Sequence, residues 1–122
     1  MSNEKVFNMA FSKVYALLIA KAERKGKTRS EVDALTAWLT GYTPGEIESL
    51  FTSEITYGDF FRFAPCPNDA RVRITGSVCG VRVENVEDPL MKEIRYLDKL
   101  VDMLAKGKSV EKILDSYSEE GV

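Results

Sequence analysis

The chain contains no histidine. With histidine go the usual serine and cysteine hydrolase triads, imidazole metal ligands and imidazole proton shuttles. Cysteine is scarce, with only Cys66 and Cys79 in 122 residues. Two thiols without histidine do not complete a four-ligand zinc site unless carboxylates help. No apolar run approaches the roughly 18 residues that a membrane-spanning helix needs. The opening residues, Met1 to Lys5, lack the basic and then apolar order of a secretory signal. Together these absences predict a cytoplasmic chain with reduced, unbridged thiols. A strong excess of either charge is missing too: 17 Lys and Arg face 19 Asp and Glu, a net charge of −2.

What is there fits one domain over residues 1–122. By size scaling, a 13.7 kDa chain goes from roughly 20,000 Å² exposed when unfolded to roughly 6,600 Å² when folded. That is enough burial for one core without staples.

The clearest segment is Asp88 to Gly107. Asp88 and Pro89 read as an N-cap and first helical residue, and Gly107 as a stop. Between them Leu90, Ile94, Leu97, Val101 and Leu104 recur at spacings of four and three, the stripe of a core-facing helix. Phe11 to Lys25 carries a second stripe and ends at Gly26. Thr28-Arg29-Ser30-Glu31 is a capping box opening a helix with Val32, Leu35, Trp38 and Leu39 inward, closed by Gly41. Thr43-Pro44-Gly45-Glu46 repeats the device with proline at the first helical position. Thr56 caps a short helix halted by Pro65 and Pro67, and Ser109 caps another with Val110, Ile113, Leu114 and Tyr117 inward. Ser118 to Val122 is expected to fray.

Asn68 to Val86 reads two ways. Val72, Ile74, Val78 and Val81 suit a helical face, which favours a helix over about Asp69 to Val81. Val81 and Val83 also alternate with Arg82 and Glu84, so a small β element at about 72–84 is the alternative. The expected fold is all-α: a compact orthogonal bundle of six or seven mostly short helices, the longest at about 88–106.

The residues quoted above resemble one bacterial family. The resemblance runs through Phe7-x-Met9-x-Phe11-x-x-Val14-Tyr15, Lys21-Ala22-Glu23-Arg24-Lys25-Gly26, Glu31-Val32-Asp33 and Trp38-Leu39-Thr40-Gly41-Tyr42. It continues through Ile74-Thr75-Gly76-x-x-Cys79-Gly80-x-Arg82-Val83-Glu84-x-x-Glu87-Asp88-Pro89-Leu90-Met91 and Ile94-Arg95-Tyr96-Leu97-Asp98-Lys99-Leu100. The family is the uncharacterised "domain of unknown function" group numbered 2200. It implies a small, mainly helical protein with no assigned activity, and supplies no catalytic residues.

Candidate sites therefore rest on chemistry alone. Arg82, Glu84, Arg95, Tyr96 and Asp98 form a polar set beside an apolar run. Arg95, Tyr96 and Lys99 could hold a carboxylate or phosphate, and a small-molecule-binding domain or enzyme with a polar pocket around Arg82, Glu84, Arg95 and Tyr96 is the alternative function. The plainer reading is that Arg82–Glu84 and Arg95–Asp98 are ion pairs locking the fold. Cys79, flanked by Gly80 and near Arg82, is a candidate exposed thiol, although nothing supplies a base. Glu84, Glu87 and Asp88 offer oxygen ligands for a metal such as Mg²⁺, but no phosphate-binding loop accompanies them and Asp88 already caps a helix. No catalytic residue, metal or cofactor is assigned.

Charge is segregated in blocks. Lys21 to Arg29 holds five cations against Glu23, while Ser30 to Phe61 holds six acids and no base. Nucleic-acid binding through Lys21–Arg29 is the weaker possibility, because the sequence pI of 5.3 lies far below the ~9 of dedicated nucleic-acid domains. Two adjacent phenylalanines, Phe60 and Phe61, cannot share one face of a helix, which leaves one for a different interface, either a second internal layer or an exposed patch for a partner. The leading expectation is a helical module that binds a protein partner or itself.

Overall fold

The computed structural model describes residues 3–118. It contains α1 (Asn3–Phe7), α2 (Phe11–Glu23), α3 (Arg29–Thr40), α4 (Pro44–Phe51), α5 (Tyr57–Arg62), α6 (Pro89–Ala105) and α7 (Val110–Asp115). Between α5 and α6 lie a 3₁₀ helix, Asp69–Arg73, a hairpin of β1 (Ser77–Val78) and β2 (Val81–Arg82), and a 3₁₀ turn, Val83–Asn85. The fold is mainly α, as expected.

Helix ends follow local chemistry. Thr28 accepts from the Glu31 N–H at 3.2 Å while Glu31 accepts from the Thr28 N–H at 2.9 Å. Thr43 and Glu46 form the same reciprocal pair at 3.1 and 2.8 Å. Asp88 accepts from Leu90 and Met91 N–H at 2.9 and 3.0 Å, with Pro89 at the first helical position. Such caps satisfy N–H groups that have no partner within the helix. Gly41 closes α3 at φ 84°, in the left-handed region.

The long helix α6 is the centre of the assembly. It packs against α2, α3, α5, α7 and the hairpin. Its buried stripe is Met91, Ile94, Leu97, Leu100, Val101 and Leu104, with Leu90 only half-buried. A second, aromatic part of the core lies where α2 meets α5. Phe11 stacks on Phe60 with ring centroids 4.0 Å apart and on Tyr15 at 4.9 Å. Phe60 also stacks on Tyr42 at 4.7 Å.

Three expectations are corrected. The helix expected over Asp69 to Val81 stops at Arg73. Gly76 (φ 104°), Cys79 (φ 51°) and Gly80 (φ 78°) all take left-handed backbone, which no right-handed helix accommodates. Cys79-Gly80 forms the two-residue turn of the hairpin, where both positions need positive φ, and Ser77 pairs with Arg82. The β alternative holds over this narrower span, and Val72, assigned to a helical face, is 66% exposed.

Phe60 and Phe61 are both buried. The short α5 is covered on two sides: Phe60 faces α2, while Phe61 packs edge-on against Tyr57 at 5.1 Å, and α1 covers Gly58 through Phe7. The exposed aromatic of the cluster is Phe63. Trp38 sits at the core's edge rather than inside it, tilted against Tyr117 at 6.0 Å. The helix α1 was not anticipated. Of the tail expected to fray, residues 119–122 lie outside the described residues.

Candidate functional site

The six residues singled out from sequence fall into separate structural locks. Arg82 lies 3.4 Å from Glu84, whose other oxygen accepts from the Gly76 N–H at 2.9 Å. That backbone bond, chiefly, holds the Glu84 carboxyl below its ordinary pKa, with Arg82 adding to it. On α6, Arg95 pairs with Asp98 at 3.3 Å, one helical turn on. Tyr96 is buried, and burial and then Glu93 raise its pKa. Cys79 is exposed at the hairpin tip. Among the described residues no hydrogen bond or ion pair joins the Arg82–Glu84 pair to the Arg95–Asp98 pair. Lys99, from the same helix, donates to Ser77 O at 3.0 Å and straps the hairpin down. The local chemistry is bracing.

Sequence reasoning missed the polar groups inside the bundle. The Tyr15 hydroxyl donates to Asp33 at 2.6 Å and lies 3.1 Å from the Thr36 hydroxyl. Burial, and then this carboxylate, hold the Tyr15 pKa well above that of free tyrosine. Arg29 lies 3.6 Å from Asp33, 3.3 Å from Glu48, and with its guanidinium carbon 4.6 Å from the Phe51 ring centroid. This network ties α2, α3 and α4. Lys21 of α2 pairs with Asp102 of α6 at 3.1 Å, and Lys106 adds a second bond at 3.0 Å. Nearby, burial raises the Asp98 pKa against the opposing pull of Arg95 and Lys21. Tyr57 is fully enclosed, with its hydroxyl unpartnered. The only sequence signal for this layer was tyrosine standing at stripe positions, which looks the same as phenylalanine in an apolar pattern.

These pairings also sort the basic block. Lys21 and Arg29 are tied inside the chain. Arg24, Lys25 and Lys27, in the turn between α2 and α3, make no ion pair among the described residues. Arg24 and Lys25 are exposed and Lys27 partly so.

Past the far end of α3 lies an open groove of about 450 Å³, lined by Tyr42, Thr43, Gly45, Glu46, Ser49 and Leu50. The lining combines the apolar bodies of Tyr42 and Leu50 with two hydroxyl side chains and the Glu46 carboxylate, of which Thr43 and Glu46 also form the reciprocal cap of α4. The Tyr42 hydroxyl is engaged with Phe60 O at 2.8 Å. Burial first, and then Glu46, raise its pKa. Among the described residues no group of three or more Cys, Asp or Glu side chains is placed to hold a metal ion. No helix there is long and apolar enough to cross a membrane.

Comparison with known proteins agrees with this picture. The family model described as "Uncharacterized protein conserved in bacteria (DUF2200)" matches residues 5–115. The chain is similar to a solved structure titled "Crystal structure of uncharacterized protein SP1917". The two share 52% identity and a TM-score of 0.92, over 96% of this chain and 95% of that one. Among curated proteins none matches.

Proposed function

The chain belongs to this uncharacterised family conserved in bacteria, and we propose that it serves there as a small helical interaction module that associates with itself. The reading rests on the separation of unpaired charge. Arg24, Lys25 and Lys27 before α3 make no ion pair among the described residues, and neither do Glu46 and Glu54 beyond it, whereas Asp33, Glu48 and Asp59 are paired with Arg29 and Arg62. Where opposite charges belong to neighbouring elements, as in Lys21–Asp102 and Arg29–Glu48, the chain pairs them internally. The remainder is available for contact between molecules, where complementary fields steer association and suppress wrong partners. The exposed Phe63, Leu17 and Val72 add apolar area outside the core. The two unbridged thiols support a reducing, cytoplasmic setting.

Light scattering tests the reading. The mass should exceed the 13.7 kDa monomer at about 0.01 M salt, where the Debye length is about 30 Å, and fall at about 1 M, where it is about 3 Å. A monomer at both would refute it.

A further inference from the structure

We propose a specific docking mode, resting on the self-association reading above: the basic α2–α3 turn of one molecule inserts lysine into the Tyr42–Leu50 groove of a second copy. The groove has the chemistry of a lysine seat. A lysine side chain is an apolar stem with a charged tip, and it prefers to lay the stem on apolar surface while the ammonium meets oxygen. Here Tyr42 and Leu50 supply apolar lining. Glu46, Ser49 and Thr43 supply oxygens to the same lining, Glu46 a carboxylate of which one oxygen accepts from the Thr43 N–H. Glu46 is the one acidic side chain of the groove lining, and it makes no ion pair among the described residues, whereas the neighbouring Glu48 is paired with Arg29.

The turn has the complementary form. Arg24, Lys25 and Lys27 flank Gly26, whose backbone is left-handed at φ 80° and has nothing within 4 Å of where a side chain would start. The turn is therefore open at its glycine, and its cations make no ion pair among the described residues. A single molecule does not satisfy both halves. The turn precedes α3 and Tyr42 follows it, separated by the length of twelve helical residues, about 18 Å.

Each molecule offers both a turn and a groove, so the contact is isologous where both pairs form at once and heterologous where one pair forms and the same operation repeats from copy to copy. Two molecules exchanging both elements close into a dimer. Repetition without closure gives a chain of growing mass. The patch is small, which places it among weak, salt-sensitive interfaces.

A charge-swap mixture tests the docking mode. One variant is Lys25→Glu with Lys27→Glu, which makes the turn acidic. The other is Glu46→Gln with Ser49→Lys, which makes the groove basic while glutamine keeps the capping bond to Thr43. Each variant alone should associate at least about tenfold more weakly than wild type, since like charges then meet. An equimolar mixture should recover association, because each acidic element finds a basic one. Recovery also demonstrates that both variants are folded. If the mixture stays monomeric, or each variant associates as wild type does, this docking mode is wrong while self-association by another surface stands. A wild-type chain that is monomeric at every concentration overturns both.

Discussion

Gly41→Ala, compared with Gly26→Ala, separates backbone strain from steric collision. Both glycines have left-handed backbone, at φ 84° and 80°. Alanine there costs about 1 kcal/mol in conformational strain alone. At Gly26 an added Cβ meets nothing within 4 Å, so strain is the whole effect. At Gly41 it would lie 2.7 Å from the Cβ, N and O of Cys66. Two of those atoms are backbone, so no rotamer change relieves the contact and the segment must move. That segment is held by Cys66 N–H donating to Thr40 O at 3.0 Å and Asn68 N–H donating to Leu39 O at 3.1 Å. Each bond contributes about 0.5–1.5 kcal/mol. Gly41→Ala should therefore cost about 2–4 kcal/mol and Gly26→Ala about 1 kcal/mol. At about 4 °C per kcal/mol for a domain of this size, the Tm should fall about 8–16 °C and about 4 °C respectively. Equal melting points would mean that the 64–68 segment does not close the end of α3 as described.

Other outcomes follow from the core and its polar layer. Leu97→Ala should cost about 2–5 kcal/mol by urea denaturation, the usual effect of a large deletion at a fully buried site; a shift within about 0.5 kcal/mol would contradict the centrality of α6. Tyr57→Phe removes a buried hydroxyl with no partner and should leave the Tm unchanged or higher, whereas Tyr15→Phe abolishes the bond to Asp33 and should cost about 1.5–3 kcal/mol. Equal losses would refute the contrast. Asp98 is paired with Arg95, yet burial outweighs that partner and raises its pKa. Because burial raises its folded pKa above the ordinary 3.8, its contribution favours folding below that value and is lost as pH rises through the folded value. Asp98→Asn should remove this decline in a pH series of denaturation curves; an unchanged slope would show that the carboxyl is not desolvated. Asp102 behaves conversely: burial pushes it up, but Lys106 and Lys21 outweigh that and lower it, so its contribution is lost as pH falls.

The parts of this fold legible in sequence were those set by nearest neighbours. A cap is a bond between a side chain and an N–H two or three residues away, so Thr28, Thr43, Thr56, Asp88 and Ser109 declare themselves, and all five accept such a bond. The glycine stops are equally local. The stripe of α6 was clear because 17 residues give several turns of period. Residues 69–86 misled because their conformation depends on remote partners: Lys99 on Ser77 O, and Glu84 on the Gly76 N–H. Two-residue strands carry no period of their own. Phe61 takes the second internal layer rather than an exposed patch, a choice that sequence left open because the covering element, α1, is only five residues long. At the candidate site, sequence exposed the segregation of charge. It did not reveal which cations are paired, since Lys21–Asp102 spans 81 positions, nor that Tyr42 and Leu50 converge on one groove.

The claim on which the functional reading depends is that this chain binds itself through unlike charges. Sedimentation equilibrium of the wild-type protein over a concentration series at low ionic strength measures it most directly. The account predicts a weight-average mass that climbs above 13.7 kDa with concentration and returns to it when salt is added. A mass fixed at the monomer value across the series would contradict it.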